Sequence, residues 1–192
     1  MLKIYLFSLV SLFVYSNAFA QWTLINDEST VNYVSIKKSQ VGEVNSFKSL
    51  NGSIDNNGKV SVEIDLGSVA TNVPIRDERM KVLFFEVATF SKATISTAID
   101  IKALTDMNIG DTYDASMNIG LSLHGDSKEI VADVRVVKLS RNRILAVLLK
   151  PIIVNAADFK LSEGVEKLRE IAKLSSISSA VPVTFSLVFS QQ

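Results

Sequence analysis

The chain has 192 residues, with 20 Lys and Arg against 20 Asp and Glu, a single histidine and no cysteine. Balanced charge without basic clustering argues against a nucleic-acid partner. Without thiols there can be no disulfide, no thiolate metal site and no cysteine nucleophile, so a domain of this length must be held by its apolar core alone.

The first element reads as a leader. Lys3 precedes an apolar run from Ile4 to Tyr15 and then Ala18-Phe19-Ala20, the charged, hydrophobic and small-x-small regions of a secretory signal peptide. Cleavage is expected after Ala20, leaving one domain from Gln21 to Gln192. The apolar run falls short of the roughly 20 residues that span a bilayer, so no transmembrane anchor is expected in the mature chain. No cysteine follows the cleavage site to carry a lipid. A periplasm is the expected destination.

Period two governs most of the mature chain. Val60, Val62, Ile64 and Leu66 alternate with Ser61, Glu63 and Asp65, and long alternating runs recur from Tyr113 to Leu123 and from Val181 to Phe189. Strands are expected over 30–36, 44–54, 60–66, 95–101, 113–123, 129–139, 143–154 and 181–189, separated by turn chemistry such as Asn56-Asn57-Gly58 and Arg141-Asn142. Ile144 to Val154 is apolar on both faces, so one face is expected in a core or cavity and the other beneath a helix.

Helical spacing replaces the alternation in two places. Met80, Leu83, Phe84 and Val87 share one face of a helix expected at about 74–87, and Val165, Leu168, Ile171 and Ala172 do so in one at about 162–174, opened by Ser162 as N-cap. Together these elements predict an all-β fold, a single antiparallel up-and-down eight-stranded β-barrel with two short helices. Such an interior is either filled by side chains or holds one small ligand, and the pattern does not choose. The helices, and the scarcity of Trp and Tyr for interfacial girdles, argue against an outer-membrane barrel.

Candidate chemistry is sparse. His124, in "LSLHGDSKE", sits where one strand must turn into the next, and Asp126, Ser122 and Ser127 are near it only in sequence. A turn histidine is the expected reading, because triads are recognised by geometry. Phosphate loops, dinucleotide fingerprints and calcium-loop spacings are all missing. No catalytic residue, no metal and no cofactor is therefore expected. The run Arg76-Asp77-Glu78-Arg79 reads mainly as a helix start: Pro74 presets φ, Asp77 and Glu78 suit the helix dipole, and Asp77 is spaced to pair with Lys81. The alternative is that Arg76 or Arg79 faces a barrel mouth and meets a polar head group.

Several motifs in order carry a family resemblance: Trp22, "LNGSI", "VEIDLGSVATNVPIRDERMKVLFFEVATFSKATI" and "LSLHGDSKEI". They resemble the YceI-like family over nearly the whole mature chain. The resemblance implies a lipocalin-like antiparallel barrel, usually exported, that encloses an isoprenoid or similar amphiphile. Arg79 stands where relatives often carry His, and Ser91 replaces a common Pro. The expected lining, from the apolar faces of the alternating strands and the Phe pair, is Val62, Ile64, Phe84, Phe85, Ile95, Ile99, Met117, Leu121, Val147, Phe185 and Leu187, with Arg76 and Arg79 at the head group. The oligomeric state stays open, a dimer included. Two other readings stand beside the carrier: a lipid-modifying enzyme with His124 and the arginine cluster as machinery, or a structural or stress-response protein with a filled barrel.

Overall fold

The computed structural model describes residues 22–191; the leader expected at 1–20 lies outside them. Alternating positions point inward and outward along β1 (Trp22–Leu24), β2 (Thr30–Lys37), β3 (Val41–Phe47), β4 (Leu50–Ile54), β5 (Lys59–Asp65) and the short β6 (Val69–Ala70). After α1 (Pro74–Arg79) come β7 (Lys92–Ala98), α2 (Ile101–Thr105), β8 (Thr112–Leu123) and β9 (Asp126–Ser140). The chain continues through β10 (Arg143–Leu148), β11 (Ile152–Asn155), α3 (Ser162–Ile171) and β12 (Ala180–Gln191). Pairs β1/β2, β3/β4, β5/β6 and β10/β11 are single staves broken midway. Counted so, eight antiparallel staves close on themselves, because β1 pairs with β12 and β4 while β2 pairs with β12 and β3. Among the described residues no helix is long and apolar enough to cross a membrane.

The breaks have local causes that periodicity does not register. At Lys48 and Ser49 the backbone N–H groups turn to the Ser68 carbonyl and hydroxyl, at 3.0–3.1 Å, and the expected strand 44–54 bends into β3 and β4. Pro151 cannot donate to a ladder, and the Leu149 N–H goes to the Asp133 carbonyl at 2.8 Å, so 143–154 splits into β10 and β11. Among the described residues no helix covers its outer face: Leu149 and Ile153 are 43% and 52% exposed. The run 95–101 stops at Ala98, because Asp100 accepts from the Lys102 N–H at 2.9 Å and caps α2.

One end of the barrel is filled. Trp22, Val62, Leu104, Ile144, Leu187 and Phe189 pack there, each at most 4% exposed. Over this base lies α2, tied down by Lys138, whose Nζ donates to the Leu104 carbonyl at 3.2 Å and stands 5.0 Å from the Trp22 ring centre. Burial pushes the Lys138 amine below its usual range. Beside the base, Gly58 turns with φ +78°, and a Cβ there would lie 1.9 Å from the Ile99 carbonyl oxygen. Gly58→Ala therefore combines a left-handed backbone with a backbone collision. An expected loss of about 2–4 kcal/mol should appear as a lower urea midpoint with an unchanged slope.

At the opposite end the helices sit over the barrel. Pro74 occupies the first position of α1 after an extended Val73. From Met80 to Phe84 the helix relaxes into a π turn, and the Phe85 N–H reaches back five residues to the Met80 carbonyl at 2.8 Å. This extra residue shifts the expected face of 74–87: Met80 and Phe85, 8% and 4% exposed, are the buried pair, and the helical stretch ends at Phe84. In α3 the N-cap is Leu161, without a side-chain bond, and Ser162 is the first helical residue; the helix ends at Ile171 rather than 174. Gly164 lets α3 rest on the π turn, since a Cβ there would meet Phe84 Cα at 3.1 Å and the Leu83 oxygen at 3.2 Å.

Candidate functional site: an apolar cavity with one charged edge

Between the packed base and the two helices the barrel is hollow. The cavity has a volume of about 400 Å³, within the range of small-molecule sites. Inward positions at one end of β2, β3, β5, β7, β8 and β12 form its wall, and α1, the π turn, β11 and α3 complete it. Apolar side chains dominate the lining. Tyr33, Phe47, Phe85 and Phe84 run along one side as a chain of ring contacts, with centroids 5.5, 5.9 and 4.7 Å apart. Burial raises the Tyr33 hydroxyl above the ordinary phenol range, and that hydroxyl points to Met80 Sδ at 3.4 Å.

Polar groups gather at one edge. Arg76 donates from Nε to the Thr71 hydroxyl at 2.8 Å, from Nη2 to the Thr71 carbonyl at 2.6 Å and from Nη1 to Glu43 at 2.5 Å. Lys37 also donates to Glu43, at 2.5 Å. That bond, aided by the nearby Arg76 charge, holds the Glu43 carboxyl below the usual carboxylate range against its partial burial. Asp77 accepts from the Thr71 N–H at 2.9 Å and from its hydroxyl at 2.5 Å. The expected Asp77–Lys81 pair does not form, since Asp77 is occupied by Thr71 and Lys81 turns to Glu78 at 2.8 Å. Arg76 thus uses each of its three guanidinium nitrogens to tie α1 to β3 and the chain after β6. Arg79 also lines the cavity, and among the described residues it has no hydrogen-bond or ion-pair partner.

The anticipated lining residues divide by depth and by face. Ile64, Phe84, Phe85, Ile95, Leu121 and Phe185 border the cavity, as do Arg76 and Arg79. Val62 and Leu187 point inward but belong to the packed base, and Ile99 and Met117 are partly buried against it. Val147 faces outward: Ile144, Ala146 and Leu148 are the core-facing positions of β10, and the cross-strand partner of Val147 is the exposed Arg135. Alternation alone finds a face but not how deep the hollow runs. Tyr33, Ser35, Lys37 and Asn45 are lining residues that the sequence pattern did not single out. A signal existed, because Val31, Tyr33, Ser35 and Lys37 share one register of β2.

His124 and Gly125 are the two central residues of the β8–β9 hairpin, with φ +51° and +82°, the geometry of a tight primed turn. The His124 ring packs 4.2 Å from the Phe90 centroid and its Nε2 lies 3.5 Å from Glu86. It does not border the cavity, so nothing places it against a bound chain. Among the described residues no three His, Asp or Glu side chains gather into a metal site.

Comparisons with known proteins agree with this architecture. A family model described as YceI-like domain matches residues 22–189. A polyisoprenoid binding domain from Saccharophagus degradans, implicated in plant cell wall breakdown, superposes with a TM-score of 0.88 at 36% identity, over 89% of this chain and 98% of that one. Burkholderia cenocepacia BcnA gives 0.64 at 19% identity, over 86% and 98% of the two chains. A Campylobacter jejuni YCEI protein gives 0.58 at 20% identity, over 82% and 90%. The last two likenesses concern the fold alone. No curated protein matches the chain.

Proposed function

The chain belongs to the YceI-like family, and from that premise we propose that it is an exported binding protein that encloses an apolar, chain-like ligand such as an isoprenoid, a quinone or another lipid. The observation that carries the reading is the cavity of about 400 Å³, apolar on nearly every side, with polar groups along one edge. The Saccharophagus degradans domain, a polyisoprenoid binding domain 36% identical to this chain, supports the ligand class. The leader read in residues 1–20 supports export to a periplasm. Binding without turnover is favoured because the lone histidine is not among the lining residues, so that no histidine-based catalytic set is built there among the described residues.

Magnitudes assign the parts. Burying a dozen chain carbons contributes on the order of 10 kcal/mol before ordering costs, at about 0.8 kcal/mol per CH₂. A half-exposed arginine meeting a phosphate or hydroxyl adds only about 1 kcal/mol. The cavity wall supplies affinity, and Arg79, the cavity-lining arginine without a hydrogen-bond or ion-pair partner among the described residues, selects the head group. The test is a fluorescence titration with farnesol and farnesyl diphosphate. Arg79→Ala is expected to weaken the diphosphate about fivefold, in keeping with roughly 1 kcal/mol, and to leave farnesol unchanged. No binding of either compound to the folded wild-type chain would reject the carrier reading; equal loss for both would reject the role given to Arg79.

A further inference from the structure

The rim of the cavity combines exposed apolar side chains with one-sided charge. Val73 and Ile75 border the cavity yet are 40% and 59% exposed. Val41 stands on the inward register of β3 two residues beyond Glu43, opposite Lys37, and is 48% exposed. Ile171, in the last turn of α3 before the cavity-lining Ala172, is 43% exposed. Apolar side chains left in water around the mouth of an apolar cavity gain nothing for the isolated protein.

Charge at the same rim is one-sided. The segments 37–43, 73–81 and 172–178 carry Lys37, Lys38, Arg76, Arg79, Lys81 and Lys173 against Glu43, Asp77 and Glu78, although the whole chain is balanced. All three carboxylates are taken: Glu43 by Lys37 and Arg76, Asp77 by Thr71, Glu78 by Lys81. On α3 beside them, Glu163 is held by Lys167, and Glu166 and Glu170 by Arg169. Lys38, Arg79 and Lys173 have no carboxylate partner among the described residues. Their segments are joined: the Lys38 N–H donates to the Ser176 carbonyl at 3.0 Å, and Lys173 lies between the cavity-lining Ala172 and Leu174.

We infer that this rim is a membrane-docking surface for anionic lipid, on which Val41, Val73, Ile75 and Ile171 enter the interface while Lys38, Arg79 and Lys173 face the headgroups, so that the cavity opens against the bilayer. Unpaired cations flanking exposed aliphatic side chains match an anionic interface in both respects. A protein partner would need complementary shape as well, whereas a bilayer needs only this pairing of charge and apolar surface. Docking lets a chain-like ligand pass between bilayer and barrel without crossing water. The inference rests on the carrier reading for the purpose of docking, not for docking itself.

The experiment is co-sedimentation of the mature chain with phosphatidylcholine vesicles, with and without phosphatidylglycerol, at low and high salt. The folded wild type is expected to bind only the anionic vesicles and to leave them at high salt. Lys38→Glu with Lys173→Glu should reduce binding at low salt by roughly twenty-five-fold or more, at about fivefold per neutralised contact, and Ile171→Ser, outside the cavity lining, should reduce it severalfold at low salt. Both variants leave Arg79 and the cavity wall intact, so farnesol titration should be unchanged in them. Binding equal on both vesicle types, no vesicle binding, or either variant binding like wild type would overturn the inference. Vesicle binding with these losses but no farnesol uptake would retain the docking rim and reject the carrier reading instead.

Discussion

Replacing Ala93 with Trp is expected to abolish chain binding while leaving a folded barrel. Ala93 is buried on β7, borders the cavity and faces Ile64 across the β5–β7 ladder. An indole in that position projects into the hollow and takes the space of roughly one isoprenoid unit. Losing about five buried carbons at about 0.8 kcal/mol each removes some 4 kcal/mol, close to a thousandfold in affinity. The hollow accepts the added volume, so overpacking should cost no more than the usual 1–3 kcal/mol or so. Titration with farnesol beside thermal unfolding separates the two effects. A folded Ala93→Trp chain that binds as wild type would show that ligands do not use this cavity.

Arg76→Ala is expected to destabilise the protein rather than to alter head-group choice. The guanidinium holds the Thr71 hydroxyl and carbonyl and the Glu43 carboxylate, and its removal leaves the Thr71 carbonyl and one side of Glu43 unmatched. The expected loss is about 2 kcal/mol, smaller than for a sealed ion pair because the side chain is 25% exposed. Glu43 adds a pH dependence with a definite sign. Its carboxyl is held below the ordinary value in the folded chain, so its stabilisation is present above the unfolded carboxylate pKa. It is lost as the pH falls through the folded one. Without Arg76 the depression is smaller, so the acid-dependent loss of stability should be smaller and complete at a higher pH. Chemical denaturation from neutral pH down into the acid range measures both effects. Unchanged stability together with weaker diphosphate binding would make Arg76 the ligand's cation and contradict the assignment to Arg79.

The period-two runs and the turns between them carried the barrel, because a sheet with one face in a core writes its alternation directly into the sequence. What they could not carry was any event set by backbone geometry at single residues. The π turn at Met80–Phe84 exchanges Phe85 for Phe84 as the buried ring, and helical spacing presumes the register that this turn breaks. The corner at Lys48 depends on Ser68, twenty residues away, and α2 depends on one capping aspartate. For the site, inward parity identified Ile64, Ile95, Leu121 and Phe185, yet it also drew in Val62 and Leu187, because parity holds along the whole strand while the hollow occupies one end. Arg76 and Arg79 were indistinguishable until their partners were known. Thr71 and Glu43 then separated them, the first five and the second thirty-three residues away from Arg76.

The central claim is that the barrel holds an apolar chain. Its most direct test is to express the full chain in a bacterial host, recover the protein without detergent, extract it with organic solvent and analyse the extract by mass spectrometry. A single class of isoprenoid or other long-chain lipid, near one molecule per chain and lost in Ala93→Trp, is the predicted result. Repeated recovery of folded protein with no chain-like compound, and no uptake of added farnesol, would contradict it.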